Sequence, residues 1–228
     1  RFAPGDPAAI IAGEDATAEA IAQVRMKLGL DRPVLEQFAI WSLQLLQGDL
    51  GISIFSSLPV TRLIAQRLEP TLALTLSTLF VAVALAIPMG VIAAWKARTL
   101  ADRVVMGFAV MGFAVPVFLA GYILIYVFSI KLGWLPVQGY RRLFGPASEG
   151  VGAWALQLVL PWVTLCTIYV ALIARVTRAS VSEALTEDYI RTARAKGIRE
   201  SAVLLRHALT NAAVPIVTVV GIGVALLI

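Results

Sequence analysis

The chain has 228 residues, of which 59% are hydrophobic and 14% charged, with a mean hydropathy of +0.85 and a net charge of +5. A soluble domain carries roughly a quarter charged residues, so this composition predicts an integral membrane protein. The cations cluster beside apolar runs, which excludes a nucleic-acid-binding surface as the reason for the positive charge and predicts no nucleic-acid partner.

The first 69 residues are mixed in polarity and predict a small helical unit. Thr17–Leu28 has apolar residues at helical spacing, Gly29 suits a helix stop, Pro33 suits a helix start, and Gly48–Gly51 reads as a turn. We interpret residues 1–69 as an extracytoplasmic (periplasmic) helical segment that caps a membrane domain. A surface that receives the substrate is the alternative.

Four runs without any charged residue follow, and each exceeds the about 20 helical residues that cross a bilayer. They are 70–95, 104–130, 151–174 and 208–228. Lipid offers no partners for unpaired backbone groups, which excludes isolated strands in these runs. We therefore expect an all-α fold, a polytopic membrane helical bundle whose transmembrane domain occupies residues 70–228.

Lysine and arginine near the ends of the runs predict the orientation. The loops 96–103 and 175–207 together carry ten such residues, and the intervening loop 131–153 carries three. The two richer loops should face the cytosol, and alternation then places residues 1–69 outside. That arrangement needs one span before Arg1, and Ile228 stops inside an apolar run, so we expect a bundle truncated at both ends.

Each apolar run contains one conspicuous proline. These are Pro88, Pro116, Pro161 and Pro215. Proline inside a helix removes a backbone hydrogen bond and kinks the helix, so we expect kinks that aid packing, with gating hinges as the alternative. Gly107, Gly112 and Gly121 are expected to let helices approach closely.

The polar side chains in the runs are mild. They include Thr71, Thr75, Ser77, Thr78, Gln157, Thr164, Thr167, Tyr169, Asn211 and Thr218. Such groups suit a path for a hydrogen-bonding solute, but we favour the alternative that they bond their own helix or a neighbouring one.

Motifs for catalysis are absent from the sequence. There is no P-loop, no His-Glu-x-x-His and no Gly-x-Ser-x-Gly motif, and no pair of carboxylates lies in an apolar run. The single His207 excludes a multi-histidine metal site. We expect no catalytic residue, no metal and no cofactor in this chain.

The charged segment between the third and fourth runs predicts two short helices with a break. Ser180 and Glu183 have the spacing of a capping box, and acidic residues precede basic ones as a helix dipole favours. Gly197 offers a left-handed stop, followed by the apolar Ile198. A second helix is expected from about Glu200.

This segment resembles the cytoplasmic loop of permeases of dipeptide/oligopeptide-type ABC importers. The resemblance lies in YIRTARAKG at 189–197, RHAL at 206–209 and Pro215, with RTA in place of the Glu-Ala-Ala of the wider importer pattern. Shorter motifs fit the same family in order along nearly the whole chain: PGDP at 4–7, GLDRP at 29–33, GDLG at 48–51 and GWLP at 133–136.

The resemblance implies the transmembrane domain of a type I ABC importer in the bacterial inner membrane. It implies that the cytoplasmic loop 175–207 carries a coupling helix at 186–197, which docks on a separate ATP-binding subunit that hydrolyses ATP. The docking residues would be Tyr189, Ile190, Arg191, Thr192, Ala193, Arg194, Ala195, Lys196 and Gly197. The other implied partners are a second homologous permease, an extracytoplasmic solute-binding protein and membrane lipid.

Specific roles follow for these docking residues. The small residues Ala193, Ala195 and Gly197 would pack in the partner's groove, and the basic residues would pair with its polar groups. Tyr189 and Ile190 would anchor the helix by apolar contact.

Peptides are the expected substrate, and nickel chelates, glutathione or other small solutes are alternatives within the same transporter class. A non-transporting membrane scaffold fits the composition as well. A membrane-embedded enzyme would need a nucleophile, a metal or a carboxylate pair at bilayer depth, and the sequence shows none.

Overall fold

The computed structural model describes residues 6–13, 16–53, 55–145 and 148–228. Pro4 and Gly5 of the PGDP motif lie outside the described residues. The helices are α1 (Pro7–Ala12), α2 (Ala18–Lys27), α3 (Val34–Leu46), α4 (Val60–Trp95), α5 (Leu100–Ala114), α6 (Val117–Leu124), α7 (Val151–Ala184), α8 (Asp188–Ala195), α9 (Glu200–Ala202), α10 (Leu209–Asn211) and α11 (Ala213–Leu227). Two π-helical segments, Ile125–Lys131 and Val203–Ala208, follow α6 and α9. The chain divides into two compact units, Arg1–Glu69 and Pro70–Ile228.

Local signals set the ends of the helices in the first unit. The Thr17 hydroxyl accepts the N–H of Ala20 at 3.3 Å and so caps the start of α2. After α2, Gly29 has φ +64°, and the N–H of Leu30 donates to the carbonyl of Arg25 at 3.0 Å. This is the glycine-terminated helix end that the sequence predicts.

Helix α3 begins directly after Pro33, as predicted, and leaves its large apolar side chains accessible. Phe38 and Trp41 are 62% and 56% exposed, and their ring centroids lie 6.1 Å apart. The apolar spacing of this helix therefore marks an exposed face in the described chain.

The second unit is organised around α7. This helix packs against α5, α6, α10 and α11, and it reaches α4 through a hydrogen bond from Trp162 Nε1 to Ser77 Oγ at 2.8 Å. Buried side chains of α4, α7, α8 and the residues after α8 form one continuous hydrophobic core. Several of the contributors on α7 are small, such as Ala174 and Ala184, which lets the other helices come close.

Two helices, α4 and α7, are each long and apolar enough to cross a membrane. Two further candidates are helix pairs with a sharp bend: Leu100–Ala114 with Val117–Lys131, bent by 95°, and Glu200–Asn211 with Ala213–Leu227, bent by 59°. Counting each bent pair as one span gives up to four spans in the described residues. The second and fourth predicted runs are thus broken rather than straight.

Both long helices extend beyond the charge-free runs. Helix α4 starts at Val60 and passes through Pro70, and α7 continues to Ala184. Ser180 and Glu183 lie inside α7, so the interpretation of these two residues as a capping box is wrong. Val181 is fully buried on the same stretch, and this packing sustains the helix past the point where the apolar run ends.

Candidate functional site

The segment predicted to dock on a partner forms the short helix α8, and its two ends are sharply defined. Asp188 lies in the first turn and Arg194 in the last, an order that complements the helix dipole. At the other end Gly197 has φ +72°, and its N–H donates to the carbonyl of Arg194 at 2.9 Å. The N–H of Ile198 donates to the carbonyl of Ala193 at 3.2 Å. These two bonds form a Schellman motif, which confirms the predicted stop at Gly197.

The inner face of α8 packs on the rest of the chain. Ile190 is fully buried and Ala193 is 5% exposed, and both belong to the hydrophobic core. The chain's own core thus covers both side chains, which suits residues that anchor the helix, and their part in docking stays a prediction. The predicted docking residues that are left exposed are Tyr189, Arg191, Thr192, Arg194, Ala195, Lys196 and Gly197.

Core packing fixes α8 to the end of α7. Val181 and Ala184 of α7 share the core with Ile190 and Ala193 of α8 and with Val203 in the segment that follows. Packed apolar interiors resist displacement, so a force applied to α8 is transmitted to α7 rather than absorbed at the turn between them.

The basic side chains on and just after α8 differ in whether they form ion pairs within the chain. Arg194 Nη2 and Nε donate to the Glu200 carboxylate at 2.6 and 3.2 Å, and this hydrogen bond raises the pKa of Arg194 further above its ordinary value. Arg191 makes an exposed contact of 3.3 Å with Asp188, a geometry that contributes little. Lys196 has no ion-pair partner among the described residues, so Arg191 and Lys196 are the cations most available to another subunit.

The four prolines fall in two structural settings. Pro88 and Pro161 lie inside the uninterrupted helices α4 and α7. Pro116 lies in the break between α5 and α6, where the axis turns by 95°. Pro215 lies in the first turn of α11, after the 59° bend. A hinge role remains a prediction for all four, and an angle at Pro116 that stays the same with and without ATP would exclude it there.

Close helix approach depends on two glycines of the second unit. A Cβ added to Gly112 of α5 would lie 2.9 Å from the Cβ of Ala171 on α7, which confirms the predicted close approach for Gly112. A Cβ added to Gly90 of α4 would lie even closer to α7. Gly121 is in ordinary contact with α7 at 3.6 Å. The prediction is wrong for Gly107, around whose Cβ position the described atoms leave open space.

Several hydroxyl groups in the spans bond to the backbone of their own helix. Thr164, Thr167 and Thr218 each donate to a carbonyl four residues earlier, at 2.8, 2.7 and 2.9 Å. Thr75 instead donates to the carbonyl of Leu227 on α11, at 3.3 Å. For these residues the favoured interpretation, bonding within or between helices, is confirmed.

One partly buried ion pair was not anticipated from the sequence. Asp102, in the first turn of α5, is 5% exposed, and its two carboxylate oxygens accept Nε and Nη2 of Arg178 on α7 at 2.6 and 2.9 Å. One of these oxygens also accepts the N–H of Arg98 at 2.9 Å. No sequence signal joins two residues so far apart, although a lone acidic residue among the cations of a membrane loop marks Asp102 as unusual.

Comparison with protein families places the whole sequence in one group. Residues 86–228 match the family described as binding-protein-dependent transport system inner membrane component. Residues 1–75 match the N-terminal region of the membrane components of the same transport systems.

Individual relatives agree with this assignment. A probable peptide ABC transporter permease protein of Sinorhizobium fredii is 49% identical over 228 residues, which are 100% of this chain and 72% of the relative. Glutathione transport system permease proteins of Pectobacterium atrosepticum and Escherichia coli K12 are each 44% identical, over 219 and 220 residues, covering 96% of this chain and 68% of each relative.

The apolar helices and these matches over the full chain have one explanation. The protein belongs to the family of binding-protein-dependent transport system inner membrane components, and it is a multi-pass, inner-membrane permease of an ABC importer.

Proposed function

We propose that this permease imports short peptides and that α8 is the helix through which separate ATP-binding subunits drive it. The observation that carries the proposal is the construction of α8. Its inner face is part of the permease core, its outer face is exposed, and its end is fixed by a glycine turn. A short rigid helix with one buried and one free face can carry force from a partner into the spans.

The exposed side of α8 has the chemistry for a partner's groove. Ala195 is small and permits close approach, and Thr192 and Tyr189 add a hydroxyl and a half-exposed ring. Lys196 supplies a charge that is not paired within the described part of the chain. Ile190 and Ala193, which pack in the core, anchor this face to the permease. A second homologous permease and an extracytoplasmic solute-binding protein complete the proposed transporter, as the family assignment implies in general terms.

Substituting Ala195 by Asp should remove the ATP-binding subunit. The carboxylate would have to be desolvated in the groove, and burying an unpaired charge is costly. Purification of the tagged, full-length permease from its native membrane should recover the ATPase with the wild type and not with Ala195→Asp. The control is Ala22→Asp, which changes an alanine of α2 in the first unit that is also exposed and should leave the recovery unchanged. Wild-type ATPase recovery with Ala195→Asp would rule out docking through this face.

Short peptides are the proposed substrate because the similar proteins named above transport peptide or glutathione, and glutathione itself is a tripeptide. Glutathione is the second candidate on the same ground. Proteoliposomes containing the complete transporter and its binding protein should take up labelled trialanine only with ATP inside, and unlabelled glutathione should compete weakly. Uptake of glutathione without uptake of trialanine would reverse the order of the two candidates, and uptake of neither would reject the peptide class.

A further inference from the structure

The partly buried ion pair between Asp102 and Arg178 has a geometry that fixes α5 relative to α7. A guanidinium that donates two parallel hydrogen bonds to one carboxylate defines orientation as well as distance. The third bond, from the N–H of Arg98, fastens the loop between α4 and α5 to the same carboxylate. Arg98 has φ +66°, an unusual conformation for a residue with a side chain, and this bond helps to hold it.

Helix α4 contacts α7 at Thr177, the residue next to Arg178. A Cβ on Gly90 would lie 2.5 Å from the Cβ of Thr177 and 2.7 Å from the carbonyl oxygen of Ala174. Thr177 itself is fully buried. Residues 177 and 178 of α7 thus contact α4 and α5 at one level of the bundle.

Residues 177 and 178 lie near the end of α7 that contacts α8. Helix α7 continues from Arg178 to Ala184, which is about 9 Å of helix at 1.5 Å per residue. Val181 and Ala184 on this stretch share the core with Ile190 and Ala193 of α8. A displacement of α8 therefore reaches Arg178 through packed structure.

We infer that the Asp102–Arg178 pair is a positioning element of the transport cycle, which makes the cytoplasmic ends of α4 and α5 move together with α8 when the ATP-binding subunits close. The inference rests on the proposed docking of α8. An apolar contact at this point would let α5 slide along α7, whereas the bidentate pair and the bond to Arg98 hold the first cytoplasmic loop in register with α7.

The test uses the complete transporter and does not depend on the transported solute. Hydrogen–deuterium exchange is measured with and without ATP plus vanadate in the wild type, in Asp102→Asn and in Arg178→Lys. In the wild type, ATP should slow exchange in residues 96–103 and 186–197 together. In both variants residues 186–197 should still respond, while the response of 96–103 is lost.

A functional readout accompanies the exchange measurement. Trialanine uptake per ATP hydrolysed should fall by about 2- to 30-fold in both variants, the range expected when a coupling contact is removed. The control is Arg32→Gln, which removes an exposed pair with Glu36 at 3.2 Å in the first unit and should change neither measurement.

The possible outcomes separate the two proposals. A normal response of 96–103 in Asp102→Asn, with normal uptake per ATP, overturns the positioning role and leaves the docking of α8 intact. Absence of any response of 186–197 in the wild type rejects the docking of α8 and, with it, the premise of this inference. Failure of both variants to assemble would assign the pair to folding instead, which also overturns the inference.

Discussion

Replacing Gly90 by alanine should lower the stability of the permease by about 2 kcal/mol, because the added methyl group has no space in the crossing of α4 and α7. One of the atoms it would strike, the carbonyl oxygen of Ala174 at 2.7 Å, belongs to the backbone and cannot turn away as a side chain can. Relief requires the two helices to move apart, which disturbs the buried contacts around Thr177. At roughly 2–4 °C per kcal/mol for a chain of this size, the melting temperature should fall by about 4–8 °C.

The buried Cys166 provides the measurement for this prediction. A thiol-reactive fluorophore labels a buried cysteine only as the protein unfolds, so its signal on heating reports the melting temperature of the purified permease. The matched control is Gly107→Ala on α5, where the structure leaves open space around the Cβ and where alanine is the better helix former by up to about 1 kcal/mol. Equal melting temperatures for the two variants would contradict the close crossing at Gly90.

The sequence predicts elements that depend on local chemistry and on the bilayer. Four apolar runs without charges predict membrane helices because lipid leaves few alternatives for the backbone. Gly29 and Gly197 end their helices because glycine adopts a positive φ at little cost, and an apolar residue follows each of them. These signals lie within a few residues of the feature they determine, so one sequence suffices to recognise them.

Features that depend on tertiary packing were missed or misjudged. The inward direction of Ile190 and Ala193 follows from the position of α7 and the segment after α8, which spacing on an eight-residue helix does not reveal. The capping-box signal at Ser180 fails because burial of α7 continues the helix through it. The partner of Asp102 lies on a different helix, and no local pattern identifies it.

Substitutions of Gly197 should weaken the attachment of the ATP-binding subunit in the order Asn, Ala, Val. No described atom of the chain lies within 4 Å of the Cβ position, so the size of the side chain does not disturb the packing of the permease itself. The backbone conformation decides the effect: Gly197 has φ +72°, and a residue with a Cβ loses roughly 1–2 kcal/mol of stability when it adopts this left-handed conformation. Asparagine tolerates this conformation best, and a β-branched residue tolerates it least.

The backbone strain at residue 197 should weaken docking because it disrupts the C-terminal end of α8. If residue 197 leaves the left-handed conformation, the N–H groups of residues 197 and 198 lose their bonds to Arg194 and Ala193, and Ile198 leaves the core against which it packs. The last turn of α8, which carries Ala195 and Lys196, is then disordered before docking and must be ordered at the moment of binding. A cost of about 1–2 kcal/mol corresponds to about a 5- to 30-fold loss of affinity for the ATP-binding subunit.

Titration of the purified ATP-binding subunit against the permease in nanodiscs measures this affinity directly. Gly48→Val is the matched control, since Gly48 has φ +79° and equally open surroundings but ends α3 in the first unit. It should cost similar stability and leave the affinity unchanged, so that strain in general is separated from strain at the docking helix. Affinity equal to wild type in Gly197→Val would mean that the partner grips α8 by its first turns alone. A graded loss confined to the Gly197 series would instead assign the rigid, glycine-terminated end of α8 to the surface that receives the force of ATP binding.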